Sequence, residues 1–369
     1  MTWARLDEFL GRRVSMRAFS LLRIAAGLVT LLHLQPFLEG ARDGRIYRDA
    51  FYEPYADWYP ELPRSLYIGL LWLGAVAAIA MALGLVTRFS TTLTFAVVTY
   101  NLFLSMTHMR SNRAYLVIVL GILVLAPCGR ECSLDAWLRA RHGRAPLDPS
   151  APGWPLWLLR FEACVVYGAS GLSKLVDRDW FSGRVTWDRM AHARDQVATD
   201  TPLPDWAISA LTNRDFHSVA GKVIVLTELF IAFGLWSRRT RYAAVWLALC
   251  FHLSIEVSAS VQVFSYLGIA ALVIWAVPST RDRVLTIDVQ LAGGKRLAGT
   301  VHALDWLARF RVEAGPPGSP VRVVDRDGSV REGGHAITFA YSRLPLTAFF
   351  ALPLVAVMSR TPRRARLAA

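Results

Sequence analysis

The sequence predicts an all-α polytopic membrane bundle of about eight transmembrane helices, followed by a small cytoplasmic α/β tail. Three observations predict it. Of the 369 residues, 54% are hydrophobic, and the mean hydropathy is +0.35. That is too apolar for a soluble domain of this length. Eight apolar runs alternate with short basic turns and longer acidic loops. From about Ser279 the apolar runs give way to short strand-like and amphipathic segments.

The first 18 residues lack the apolar core and small-residue cleavage site of a signal peptide, and read as a cytoplasmic amphipathic lead-in. The spans of the transmembrane domain, 19–278, are expected at Phe19–Leu38, Ser65–Val86, Phe89–Met106, Ala114–Ala126, Trp154–Leu172, Val219–Trp236, Tyr242–Ser258 and Val261–Val277. Most approach the ~17–25 residues needed to cross hydrocarbon. The fourth is short and can extend back through Asn112.

Loop charge sets the orientation. Arg88, the group Arg238, Arg239 and Arg241, and the group Arg130, Arg139, Arg141 and Arg144 follow the second, sixth and fourth spans. The segment from Glu39 to Arg64 has four Arg against six acids, and that from Leu175 to Asp215 has five Arg against seven Asp. The positive-inside rule puts both termini in the cytoplasm and these acidic loops outside. His108, Arg110 and Arg113 then fall on the outer side, a misfit that points to another job. The outer loops carry Tyr52, Tyr55, Trp58, Tyr59, Trp180, Trp187 and Trp206, which serve as interface anchors or roof a cavity.

Residues 279–345 read as an α/β unit: LTIDVQ and VRVVD as strands, LAGTVHALDWLARF as a helix, EAGPPGSP as a loop and DRDGS as a turn. In 346–369, an apolar run from Leu344 to Met358 with two prolines is too short to cross comfortably. It is expected to dock on the domain or lie in the interface, ahead of a basic end with Arg360, Arg363, Arg364 and Arg366.

The formal net charge is +13. The arginines border apolar runs, so membrane lipid headgroups rather than nucleic acid are the expected partner. Cys164 and Cys250 lie in apolar runs, and Cys128 and Cys132 lack His or Cys partners at zinc spacing, so no metal site is expected. Charged groups at membrane depth are candidates for function. Lys174 stands out, because it ends a helix of small residues and a desolvated ammonium gives up its proton readily. The bland reading is a snorkelling lysine paired with Asp177 or Asp179. His252 can likewise be an ordinary core histidine. Glu256, four residues on, is placed to orient it. Arg23, Arg160 and Glu228 are expected to pair within the bundle.

These residues carry a resemblance. A Trp-led helix from Trp154 with Arg160 and Tyr167, then Ser170-Gly171, Lys174-Leu175, Asp179-Trp180 and Gly183, resembles the signature of the HTTM family, the vitamin K-dependent γ-carboxylase-like membrane domain. Leu22-Arg23-Ile24 with Gly27, Thr227-Glu228 with the turn at Arg238, Phe251-His252 and Phe264-Ser265-Tyr266 follow in the family's order. The match runs from Val14 to Val277.

The resemblance implies a quinone- or lipid-linked carboxylase- or epoxidase-like enzyme that uses a reduced, vitamin K-like quinone and a protein or peptide substrate. Lys174 would be the base and His252 a proton relay or donor to a quinone oxygen. Tyr167, Ser170, Arg113 and Tyr266 would line the cofactor. One departure matters. The family pattern has His after Asn, and here Asn112 is followed by Arg113. Arginine cannot serve as a base, but it can hold an anion or carboxylate. The alternative is a non-catalytic maturation, export or immunity factor on the same fold.

The tail resembles the DUF393 thioredoxin-like family through Asp288, Leu304-Asp305, Arg326-Asp327-Gly328, Gly334-His335-Ala336 and Arg343-Leu344-Pro345. Its two redox cysteine positions read Leu291 and Gly294. The resemblance therefore implies a degenerate thioredoxin-like fold over 283–345 without thiol–disulfide exchange. Arg281, Arg283, Lys295 and Arg296 are expected to form its basic, lipid-facing surface.

Overall fold

A computed structural model describes residues 3–46, 53–190, 205–237, 239–259, 261–278, 283–345 and 347. The chain falls into two compact units, one ending at Ile274 and one beginning at Trp275.

The first unit is helical. In order it holds α1 (Trp3–Gly11), a short strand β1 (Arg13–Ser15), α2 (Arg17–Arg42), α3 (Arg64–Leu83), α4 (Thr87–Phe103), α5 (Ser111–Leu125), α6 (Leu134–Arg141), strand β2 (Ser150–Pro152), α7 (Trp154–Val176), α8 (Arg178–Phe181) and α9 (Arg184–Arg189). Then come α10 (Asp205–Thr212), α11 (Arg214–Gly234), α12 (Arg241–Ala259), α13 (Val263–Ala271) and the short α14 (Val273–Ala276), at which the unit ends. Each of the eight apolar runs is helical, the last broken between α13 and α14. Arg17–Arg42, Arg64–Leu83 and Arg214–Gly234 are long and apolar enough to cross a membrane, and Ser111–Leu125 and Val263–Ala276 are shorter apolar helices. Helix α7 has 23 residues but carries Arg160, Glu162 and Lys174. On α3 Leu66, Trp72, Leu73, Val76 and Ile79 remain exposed, as expected of a surface made for an apolar solvent.

Two arrangements fix the ends of these helices. Arg23, fully buried on α2, donates to the Met81 carbonyl, to the Ala82 carbonyl at 3.1 Å, and to the Cys128 and Cys132 carbonyls at 3.3 and 2.6 Å. It thereby caps the last turn of α3, where carbonyls lack helical partners and a cation is favoured. The Asp135 carboxylate accepts from the Val86 and Thr87 amides at 2.8 and 2.7 Å and caps the start of α4 from α6. Near the N-terminus, β1 pairs antiparallel with β2, so that Arg13 lies opposite Pro152 and bonds Asp148 at 2.5 Å. This strap ties the lead-in segment to the entry of α7. Helices α2, α3, α4 and α5 pack in succession, α7 packs on α11, and α13 packs on α2, α5 and α12.

In the second unit a four-stranded sheet holds β3 (Val284–Ile287), β4 (Arg311–Ala314), β5 (Arg322–Val324) and β6 (Val330–Glu332) in the order β4-β3-β5-β6. Strands β3 and β4 are parallel, joined through α15 (Ala292–Leu304), and the other pairs are antiparallel. Helix α16 (Gly333–Arg343) follows β6. Leu285, Ile287, Leu297, Val301, Phe310 and Val323 form the core with Ala336 and Ala340 of α16.

Three expectations for this unit need correction. Helix α15 stops at Leu304, because the Asp305 carboxylate caps the next turn through the Arg309 and Phe310 amides at 2.9 and 2.8 Å. Strands β4 and β6 and helix α16 escaped the pattern. Arg283 is not on a basic surface; it is buried, ion-paired to Asp325 at 2.9 Å and set over Phe310 and Phe339. Lys295 and Arg296 are exposed. Arg281, Tyr52 and most of the segment from Leu344 to Met358, with the basic end beyond it, lie outside the described residues.

Candidate functional site

Lys174 sits in the last turn of α7, where Gly171 lets α11 approach closely: a Cβ on Gly171 would lie 2.9 Å from the Leu229 side chain. Across that contact stands Glu228. The Lys174 Nζ donates to Glu228 Oε1 and Oε2, both at 2.6 Å, and to Ser170 Oγ at 2.8 Å. Ser170 Oγ in turn donates to Glu228 Oε1 at 3.0 Å. The indole of Trp180, from α8, lies 4.7 Å from Nζ. The side chains of Lys174 and Glu228 are 16% and 3% exposed. The partner is thus Glu228, from a different helix, and not Asp177 or Asp179. Asp177 accepts from the Asp179 amide, and Asp179 lies 3.7 Å from Arg184. A buried ion pair with its remaining donors and acceptors engaged is the arrangement such charges need at depth.

Tyr167 lies about two turns before Lys174 on the same helix but belongs to a second pair. Its hydroxyl is 2.6 Å from His252 Nε2 of α12. The imidazole is 1% exposed and is walled by the rings of Phe251 and Phe264. Its Nδ1 has no hydrogen-bond partner among the described residues. Gly268 closes the remaining side: a Cβ there would lie 2.2 Å from Nε2 and Cε1 and 2.8 Å from Nδ1. Glu256 does not orient the imidazole. That carboxylate accepts from the Gln262 amide at 2.8 Å and from the Tyr266 hydroxyl at 3.1 Å.

Arg113 and Tyr266 line two cavities that share Pro36 of α2. The first, about 260 Å³, takes in Phe37, Arg45, Ile46, His108 and Arg113. The second, about 410 Å³, takes in Gln35, Glu39, Glu256, Gln262 and Tyr266. Neither Lys174 nor His252 lines either one. In the first, Arg113 donates to the His108 carbonyl at 3.0 Å, and its guanidinium carbon lies 4.7 Å from the centre of the Phe37 ring. The ring of His108 meets the same Phe37 ring at 4.7 Å, edge on. His108 Nδ1 is 3.0 Å from the Asn101 carbonyl, an acceptor, so Nδ1 carries the proton. Burial pushes the pKa of His108 below its usual value.

The six residues singled out in sequence are therefore split between four places: Lys174 with Ser170, Tyr167 with His252, and the two cavities. Glu228 and Trp180 complete the lysine site, and Phe37 and His108 complete the arginine one. The signal for the latter was the set of basic residues stranded on the side where few were expected.

Against protein-family models, residues 12–279 match the HTTM domain. No curated protein and no solved structure matches the chain.

Proposed function

The chain belongs to the HTTM domain family, a family of membrane proteins, and from that premise we propose that its bundle is an intramembrane acid–base enzyme acting on a lipid-soluble substrate with an ionisable hydroxyl. The reduced quinones implied by the family resemblance are the substrate class to test first. The observation that carries this reading is the pair of Lys174 and Glu228, held with Ser170 under the face of Trp180.

The chain's own groups can handle a proton as follows. With Nζ 2.6 Å from both carboxylate oxygens, a proton can pass from the ammonium to Glu228. The neutral Lys174 amine then takes the proton of the substrate hydroxyl and becomes ammonium again, leaving the substrate as its anion and Glu228 protonated. Trp180 favours the ammonium through its ring face. No quinone step is assigned to His252; it and Tyr167 brace α7 against α12.

The test uses the full chain in lipid nanodiscs with reduced phylloquinone and oxygen, and measures quinone epoxide by mass spectrometry. Lys174→Gln and Glu228→Gln should each lower product formation by about a hundredfold, the usual scale for loss of a general base. Wild-type protein that forms no product, together with a Lys174→Met/Glu228→Leu double variant as stable as wild type, would make the pair a packing device in a non-catalytic scaffold.

Two finer assignments belong to the same reading. The bundle crosses the membrane eight times, with both termini cytoplasmic; the eight helical apolar runs and the charge of the loops support this. The second unit is a degenerate thioredoxin-like domain. Its strand order, with one parallel pair bridged by a helix and two antiparallel strands ending in a helix, supports that assignment.

A further inference from the structure

The cavity beside Arg113 differs from the lysine site in its charge balance. It is cationic where the other is neutralised, it has an aromatic floor, and its walls come from α2, the start of α5 and the loops on either side. Its floor lies beside Pro36, inside α2, where proline has no N–H for the Leu32 carbonyl and its ring crowds that carbonyl. The helix continues to Arg42, Phe37 is 5% exposed, and Ile46 lines the same cavity.

Arg113 is the group that gives the cavity its selectivity. A guanidinium has five N–H donors in a rigid plane. One is used on the His108 carbonyl, and no carboxylate lies within ion-pair distance of Arg113 among the described residues. Lying over Phe37, the plane is held in one orientation. Arg45, also on the wall, is already matched by Asp43 at 2.9 Å, so the surplus charge belongs to Arg113. Among the described residues, no acidic side chain lines the cavity.

We infer that this cavity is a binding site for an amphiphilic carboxylate. The carboxylate would take two parallel N–H bonds from Arg113, as planar fork and planar acceptor require. The attached carbon chain would lie against Pro36, Phe37 and Ile46. A cavity of about 260 Å³ accepts an acid of roughly six to eight heavy atoms, near the lower end of ordinary ligand sites. The site is separate from the Lys174 pair and does not depend on the acid–base reading above.

The experiment is calorimetric titration of the full chain in nanodiscs with hexanoate, with empty nanodiscs as the partition blank. Inorganic phosphate and hexylammonium serve as the contrasting probes. Saturable binding of hexanoate is expected, with little from phosphate and none from hexylammonium. Arg113→Gln should weaken it about tenfold or more, since the bidentate charge-assisted bonds go, while Arg113→Lys, a point charge without the fork, should fall between. Ile46→Trp fills the cavity and leaves every charge in place, so it should abolish binding even if the arginine variants fold poorly. Lys174→Gln should bind hexanoate as wild type does. Absence of saturable heat above the blank, equal binding by Arg113→Gln and Ile46→Trp, or phosphate competing as well as hexanoate would overturn the inference.

Discussion

Gly268 occupies a tightly confined position in the bundle. The imidazole of His252 fills the place a Cβ would take, at 2.2 Å from two ring atoms. Gly268→Ala therefore cannot be absorbed by a rotamer change, since Tyr167, Phe251 and Phe264 hold the ring on its other sides. The expected cost is about 1–3 kcal/mol of overpacking, plus the loss of the hydrogen bond to Tyr167 if the ring moves. Thermal unfolding in detergent should show Gly268→Ala melting well below wild type. Tyr167→Phe should also melt below it, by a smaller margin, because it strands Nε2 at a cost of about 1–3 kcal/mol. A Gly268→Ala protein with a native melting curve would mean the helices do not meet this closely. The sequence put Lys174, Ser170 and Tyr167 on one helical face, which a spacing of three or four residues reveals. It could not reveal that Ser170 turns to Glu228 and Tyr167 to His252. Those partners come from α11 and α12, and no local periodicity relates residues on different helices.

The elements themselves were legible where apolar runs were long. The eight runs became helices at nearly the expected bounds, because a membrane-length helix satisfies every backbone group from within. Short, charged elements were not legible. Strands β3 and β5 are as short as β4 and β6 but sit in apolar runs, whereas β4 (RVEA) and β6 (VRE) are largely charged, and these two exist because β3 and β5 offer them hydrogen bonds. At α15 the expectation was a helix from Leu297; it begins at Ala292, beside Leu291 and Gly294, the positions that the thioredoxin-like resemblance implies for cysteines. Leu291 is its N-cap, 56% exposed. Gly294 is buried against β3, where a Cβ would lie 1.9 Å from the Asp288 carbonyl oxygen. Leu291→Cys should then be tolerated, whereas Gly294→Cys should open the start of α15. Hydrogen exchange on the full chain should report the second as faster exchange over residues 288–297 and the first as unchanged. Restored cysteines that form a disulfide with native protection in α15 would show that the glycine is not required there.

Over the whole molecule, the crossing pattern follows from charge and length together. Helices α4 and α5 have 17 and 15 residues, about 26 and 23 Å at 1.5 Å per residue, against a hydrocarbon core of about 30 Å. Helices this short can cross if they lie within a bundle that thins the bilayer slightly or if flanking groups reach the headgroups. Arg88 stands at the beginning of α4, exposed, and has the length to do so. A seven-span bundle, in which only one of α4 and α5 crosses, would reverse the side of everything after it. The basic turns beyond α3 and α6 would then face opposite sides, against the asymmetry that orients such chains. The outcome is readable with single cysteines placed in a chain whose exposed Cys132 has been changed to Ser. Asp57→Cys should react with an impermeant maleimide in intact cells. Arg144→Cys and Arg296→Cys should react only after the membrane is opened. Labelling of Asp57→Cys and Arg144→Cys from the same side would require an even number of crossings between them, and the eight-span bundle with cytoplasmic ends would have to be abandoned.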